Sequence, residues 1–313
     1  MGDNMKKICI IGSINMDLTV LVNMFPKPGE TISGVSFGNY PGGKGANQAV
    51  AIGRLGGEVM LFGKIGSDVY GSQYLQNLKE NLVKDSGVSI ETKASTGIAL
   101  IEVDSLGENK IVVIPGANAL VDIEFIDNYY EAICECEIFL FQLEIPIATV
   151  LYAIKRLKED KKIIILDPAP AQLLPDEIYS YIDFITPNET EIEILTGSVI
   201  KSKAEIKSAA KLLLEKGVGT VIVKAGKGGA YIVNNECLTH VNGFKVNAID
   251  TTAAGDSFNG GFAYSLAYDN TVEMSVRFAN AVAAISTTSI GAQGAMPTLE
   301  QVNDFIRPGG SKL

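Results

Sequence analysis

Two observations place this chain in the α/β class, with a doubly wound, mostly parallel sheet and a small discontinuous β lobe. From about residue 122 onward, short apolar runs alternate with stretches of helical periodicity. That is the rhythm of a parallel sheet joined by right-handed crossovers. Before it, two apolar runs at 97–104 and 109–115 flank Ser105-Leu106-Gly107-Glu108, the pattern of a hairpin. The chain is read as one domain over 1–313, with the β lobe drawn from about 16–40 and 96–115.

The elements follow in order. Lys7-Ile8-Cys9-Ile10-Ile11 predicts a short buried strand ending at Gly12. Ser13-Ile14-Asn15-Met16-Asp17 reads as a loop, with polar side chains two residues apart. Residues 18–22 and 31–38 read as strands separated by Pro26-Lys27-Pro28-Gly29, and a Gly-rich stretch from Asn39 opens a helix running to about Leu55. A strand at 59–65 and a helix at 69–83 precede the hairpin. Later strands are expected at 137–143, 162–167, 182–186 and 219–224, and helices at 122–133, 146–159, 188–196 and 202–216. A second hairpin at 229–233 and 237–241 leads to helices at 256–268, 272–289 and 298–306. The tail 308–313 reads as mobile.

Composition bounds the function. The chain has 313 residues, 47% hydrophobic and 20% charged, enough for one large α/β domain. A net charge of -10 argues against a nucleic-acid or acidic-membrane partner. No apolar run approaches the roughly 20 residues that span a bilayer. The first residues lack the long apolar core of a signal peptide. The four cysteines, Cys9, Cys134, Cys136 and Cys237, show no CxxC spacing and read as reduced thiols of a cytoplasmic protein. One histidine, His240, excludes a multi-histidine metal centre and leaves carboxylates as the candidate general bases. His240 itself reads as a structural or surface residue.

The densest signal is Asp250-Thr251-Thr252-Ala253-Ala254-Gly255-Asp256, followed by Phe258, Phe262 and Leu266 on one helical face. Ala253, Ala254 and Gly255 are read as the first turn of that helix. Its amides have no intrahelical partner and sit at the positive end of the dipole. Small side chains let an anion reach them. Asp256 lies beside that anion, where a general base would deprotonate an attacking hydroxyl. The combination suits phosphoryl transfer. Alone, it would more simply be an acidic residue capping a helix.

Other segments weaken that simpler account. Asn15 and Asp17 can serve vicinal hydroxyls. Gly42-Gly43-Lys44-Gly45-Ala46-Asn47 removes side chains from a helix start and adds donors. Together they describe a polyol pocket facing a phosphate pocket, at strand ends where α/β sheets bind ligands. Lys44 is followed by Gly, so this is no Walker A loop.

With Pro28-Gly29-Glu30-Thr31, Gln142-Leu143-Glu144, Pro168-Ala169-Pro170-Ala171 and Thr186-Pro187-Asn188-Glu189-Thr190-Glu191, these segments run from Gly12 to Gln293 in an order and spacing that resembles the ribokinase family of sugar kinases. The resemblance implies ATP-dependent phosphorylation of D-ribose at O5 with Mg²⁺, and K⁺ as activator. It implies a ribose site of Asn15, Met16, Asp17, Gly43, Lys44, Gly45, Ala46, Asn47 and Glu144. Asp256 would be the base, and Ala253 to Asp256 the anion hole. Asn188 and Glu191 would lie near the phosphates and the Mg²⁺ waters, although they fit a helix capping box equally well. Lys224-Ala225-Gly226-Lys227-Gly228-Gly229 would line the nucleotide, with Gly255, Asp256 and Asn280. A monovalent-cation site would fall at Asp250, Thr252, Ser286, Ser289, Gly291 and Ala295. The resemblance also implies a homodimer through the apolar hairpin 98–114, an exposed sheet that needs a cover. Two other readings stay open. One is the same chemistry on deoxyribose, fructose or a nucleoside. The other is a sugar-binding regulator without catalysis.

Overall fold

The computed structural model describes residues 5–307, so the tail at 308–313 lies outside it. Thirteen strands make two sheets among the described residues. The first half comprises β1 (Ile8–Ile11), β2 (Asn15–Leu21), β3 (Ser36–Gly42), α1 (Lys44–Arg54), β4 (Val59–Gly66), α2 (Val69–Glu80), β5 (Lys84–Glu91), β6 (Gly97–Val103) and β7 (Asn109–Ile114). Then come α3 (Ile123–Ile133), β8 (Ile138–Phe141), α4 (Ile147–Glu159), β9 (Ile163–Leu166), β10 (Phe184–Ile185), α5 (Glu189–Thr196), α6 (Lys203–Glu215) and β11 (Thr220–Lys224). The chain ends with β12 (Ala230–Val233), β13 (Leu238–Val241), α7 (Ala254–Ala267), α8 (Val272–Ser286) and α9 (Leu299–Ile306).

The larger sheet has the order β13-β12-β11-β10-β9-β8-β1-β4-β5. It is parallel from β11 to β5, and the β12–β13 hairpin adds the antiparallel edge. Strand β1 shows why both faces are covered. Ile8 and Ile10 pack into one core while Cys9 and Ile11 pack into the other. A strand buried on both faces reads as a continuous apolar run. Helices α1, α2, α7 and α8 cover one face, and α3 to α6 the other. The chain leaves β1 toward β4 and β5 on one side and returns through β8 to the other. The strand order therefore reverses at β1/β8, and the crevice beyond their carboxyl ends is the place for a ligand.

The second sheet has the order β3-β2-β6-β7. Across the two sheets the structure corrects three readings. Residues 15–17 are strand, not loop, because β2 pairs with β3 on one side and β6 on the other, from Asn15 onward. The neighbouring strand runs over Ser36–Gly42 rather than 31–38; its polar, Gly-containing sequence is held by pairing, not by apolar alternation. Strand β5 was not expected at all. It is an edge strand with only Gly87 buried, paired with β4 across a register irregularity. Strand β7 is exposed along its whole length.

Candidate active site

Helix α7 carries the reacting end of the site. Ala253 is its cap, not part of its first turn, and holds a left-handed φ of 57°. That conformation costs a non-glycine residue of order 1–3 kcal/mol and is kept only where the surroundings demand it. No side chain caps the helix. The amide of Ala254 donates to Thr251 O at 3.2 Å and that of Ser257 to Ala253 O at 2.8 Å. Between them, the amides of Gly255 and Asp256 have no acceptor among the described residues. These two donors at the positive end of the helix are an anion site left open by the protein.

Asp256 is buried beside them, with 5% of its surface exposed. Its Oδ2 accepts from Asn47 Nδ2 at 2.9 Å and its Oδ1 from Gln48 Nε2 at 3.2 Å. Both donors come from α1, so packing of α1 on α7 fixes the carboxylate. Burial pushes the Asp256 carboxyl up, and the Lys44 ammonium pulls it back. Conversely Asp256, with help from Asp167, Glu144 and Glu191, holds Lys44 charged far above its usual range. Asn47 is held in turn by Gln293 Nε2 at 2.9 Å, and Gln293 also donates to Tyr74 Oη at 2.7 Å.

Asn15 and Asp17 sit two apart on β2 and share a face. Asn15 Oδ1 accepts from Asn118 Nδ2 at 2.7 Å. Among the described residues no protein group donates to the Asp17 carboxylate. Burial, then Glu144 and Asp256, push Asp17 up to about 7. Two glycines make this approach possible. A Cβ at Gly42 would stand 2.2 Å from Asp17 Oδ2. Gly43, the cap of α1 at φ 86°, could carry no Cβ within 2.6 Å of Asn15 N. Glu144, after β8, closes the pocket: its Oε2 accepts from Ser13 Oγ at 2.5 Å and Lys44 N at 3.0 Å. Gly45 N donates to Ser13 Oγ at 3.2 Å, and Met16 and Ala46 are buried behind. Asn15, Asp17, Gly43, Lys44, Asn47, Glu144 and Asp256 thus gather from β2, α1, the end of β8 and α7.

Behind the α7 terminus lies a cleft of ≈ 770 Å³ lined mainly by apolar groups, within the range of small-molecule sites. Lys224, Gly226, Lys227, Gly229, Gly255 and Asn280 line it. Ala225 and Gly228 do not; they shape the turn through Ala225 N to Gly229 O and Gly228 N to Ala225 O. Asn280 Nδ2 is spent on the carbonyls of Val241 and Asn242, at 3.2 and 3.4 Å. Asn188 and Glu191 form the capping box of α5, Glu191 N to Asn188 Oδ1 at 2.8 Å and Asn188 N to Glu191 Oε2 at 2.7 Å. Burial raises Glu191, and Lys224 opposes that rise. His240 is exposed, stacked on Tyr231, and its ring nitrogen lies 2.8 Å from Gly228 O, on the turn rather than in the cleft.

The expected cation ligands divide. Asp250 Oδ1 accepts from Thr252 N and Oγ1, and its Oδ2 accepts from Gly291 N at 2.9 Å. Burial works against the charge of Asp250, but these hydrogen bonds outweigh it and hold its carboxyl low. Ser286 Oγ donates to Ala283 O at 2.9 Å. Ser289 and Ala295 line a separate hollow of ≈ 380 Å³ with Arg54 and Met296.

Sequence reasoning assigned no role to Gln48, Gln142, Asp167 or Gln293. Gln48 Nε2 is shared between Asp256 and Asp167 Oδ2, the latter at 3.0 Å, and Gln142 Nε2 donates to Gln48 Oε1 at 2.6 Å. The position of Asp167 just after an apolar strand was the available signal.

Residues 5–299 match the family described as pfkB family carbohydrate kinase. The chain is 42% identical to a ribokinase of Bacillus subtilis over 302 residues, covering 96% of this chain and 100% of that one. It is 38% identical to a deoxyribokinase of Salmonella typhi over 300 residues, covering 96% and 98%. Among solved structures, a ribokinase of Thermotoga maritima superposes with a TM-score of 0.90 at 42% identity, covering 96% and 99%. An Arabidopsis thaliana ribokinase complexed with ribose and ATP superposes at 0.87 with 30% identity, covering 95% and 97%.

Proposed function

Since the chain belongs to the pfkB family of carbohydrate kinases, we propose that it transfers the γ-phosphoryl group of ATP to O5 of D-ribose, giving ribose 5-phosphate and ADP. The observation that carries this reading is the pair of open amides at Gly255 and Asp256 beside a buried carboxylate. Asp256 takes the proton of the attacking hydroxyl. The O5–P bond forms, the bond from phosphorus to the bridging oxygen breaks, and ADP departs. The amides take up charge on the transferred group. Ribose lies over Asn15, Asp17, Gly43, Asn47 and Glu144, and the nucleotide lies in the cleft of Lys227 and Asn280. The four-stranded sheet acts as a lid that excludes water, whose phosphorylation would compete.

Mg²⁺ enters with the triphosphate. Such ions keep several waters and use one or two carboxylates plus phosphate oxygens. Among the described residues there is no cage of three metal-ligating side chains, and the Glu191 carboxylate suits a hold through water. The bound ion would neutralise phosphate charge. K⁺ would lie at Asp250, Thr252 and Gly291, steadying the turn that leads into α7. We place the enzyme in the cytoplasm, in keeping with its free cysteines.

The test is ADP release with MgATP and ribose, 2-deoxyribose, fructose or adenosine, with and without K⁺. Turnover on ribose that rises with K⁺ supports the reading. The resemblance to a deoxyribokinase makes 2-deoxyribose the second acceptor to weigh, and turnover confined to it moves the specificity without moving the chemistry. Sugar binding with no turnover points to the regulator.

The charge of Asp17 makes binding pH-dependent. The ionised form accepts from sugar hydroxyls, and protons compete for it. The acceptor's kcat/KM should therefore be level above pH 7 and fall about tenfold per unit well below it. A profile level from pH 5 to 8 contradicts this.

Leu100 and Val112, opposite one another on β6 and β7, share one face of the sheet and are exposed, so they form an apolar patch. A second copy, laid lid to lid, covers it. Light scattering at micromolar concentration should give twice the mass of one chain, and the mass of one chain would refute the dimer.

A further inference from the structure

Lys224 ends β11 with its ammonium 2.8 Å from Asp167 Oδ1, and the two side chains are 13% and 3% exposed. A buried ion pair gains little stability over apolar packing, because both charges lose water. Its position is more telling than its energy. A Cβ on Gly255 would meet Lys224 Nζ at 3.6 Å. The ammonium therefore stands at the positive end of α7, beside two amides without acceptors. A cation there is disfavoured by the helix dipole. Asp167 balances it, and Gln48 ties Asp167 to Asp256 through one amide nitrogen. Two amides, a helix terminus and an ammonium converge on one point, a donor set matched to an anion of high charge.

We propose that Lys224 is a catalytic residue for phosphoryl transfer, its ammonium contacting the non-bridging oxygens of the γ-phosphoryl group, with Asp167 as its positioning residue. This deepens the phosphotransfer reading above and rests on it. Lys224 takes no part in the proton transfer, which belongs to Asp256. The bond changes are those already given, and the ammonium neutralises charge on the group in flight.

The experiment compares Lys224→Met, Lys224→Arg and the double variant Lys224→Met/Asp167→Asn. The double variant removes both buried charges, so it remains folded if the single one does not. Read-outs are melting temperature, kcat, acceptor KM, and the affinity of a non-hydrolysable ATP analogue relative to ADP. Lys224→Met should lower kcat about 10²–10³-fold, the usual effect of removing one transition-state donor. Acceptor KM should stay within about threefold, and the preference for the ATP analogue over ADP should disappear. Arginine should restore part of the rate. The double variant should recover melting temperature but not kcat. Double-variant turnover within about threefold of the parent would overturn the proposal, because Lys224 would then only neutralise Asp167. An unchanged analogue-to-ADP ratio would overturn it as well. If the parent protein turns over no acceptor, the ribose-kinase reading fails, while the binding ratio still decides the role of Lys224.

Discussion

Asp256→Asn is expected to lower kcat about 10²–10⁴-fold, the usual contribution of a general base, with acceptor and nucleotide binding largely kept. The substitution preserves shape and removes only the capacity to accept a proton. It should also preserve the fold. The native carboxylate is buried and its charge is disfavoured by that burial. A neutral amide relieves this cost. Against that stands a clash of donors, because Asn47 Nδ2 and Gln48 Nε2 both point at position 256. The new amide has one acceptor oxygen, so its nitrogen must face one of these donors and that hydrogen bond is lost. An unmade buried hydrogen bond costs about 1–3 kcal/mol, so the two effects roughly offset. The measurement is steady-state turnover on ribose beside a thermal melt. A folded variant with near-normal kcat would remove Asp256 from the role of base, and with it the meaning given to the open amides beside it.

That site was legible in the sequence only in part. The α7 terminus could be read because small residues after an apolar run leave amides bare whatever the rest of the fold. The left-handed φ of Ala253 could not, since alanine carries no signal for it. Asn15 and Asp17 stand out as a pair, but the local sequence around them reads as a loop. Their strand exists through pairing with β3 and β6, and such pairing has no local trace. The alternating elements after residue 122 followed from periodicity, because both faces of those strands are buried. Strand β5 lies at the sheet edge with a polar sequence, where propensity decides little. The Asp167–Lys224 pair joins residues 57 apart in sequence, brought together by strand order alone. Gln48 and Gln142 looked like ordinary polar residues of a helix start and a strand end until three elements met around them.

Asp17→Ala is the second large effect, and it separates binding from stability. The Asp17 carboxylate takes no hydrogen bond from the described residues, so its acceptors remain available to a ligand. A hydrogen bond to a charged group contributes about 1.5–3 kcal/mol, roughly 10- to 150-fold each. Loss of contacts to two vicinal hydroxyls should raise acceptor KM about 10²–10⁴-fold, with a smaller change in kcat. The part of the fall in kcat/KM below pH 7 that comes from Asp17 should vanish with it, leaving the part set by protonation of the base Asp256. Stability should move the other way. In the folded chain Asp17 is raised from 3.8 to about 7. The neutral form is therefore favoured by folding, and that contribution is fully present below pH 4 and lost as pH rises toward 7. At pH 8 the parent protein holds an unfavourable charge beside Glu144 and Asp256, and the alanine variant does not. The variant should melt no lower than the parent there while binding the acceptor far more weakly. A pocket kept for function at the expense of stability behaves this way. A variant that binds the acceptor normally, or melts well below the parent at pH 8, would show that Asp17 supports the β2 strand rather than the sugar.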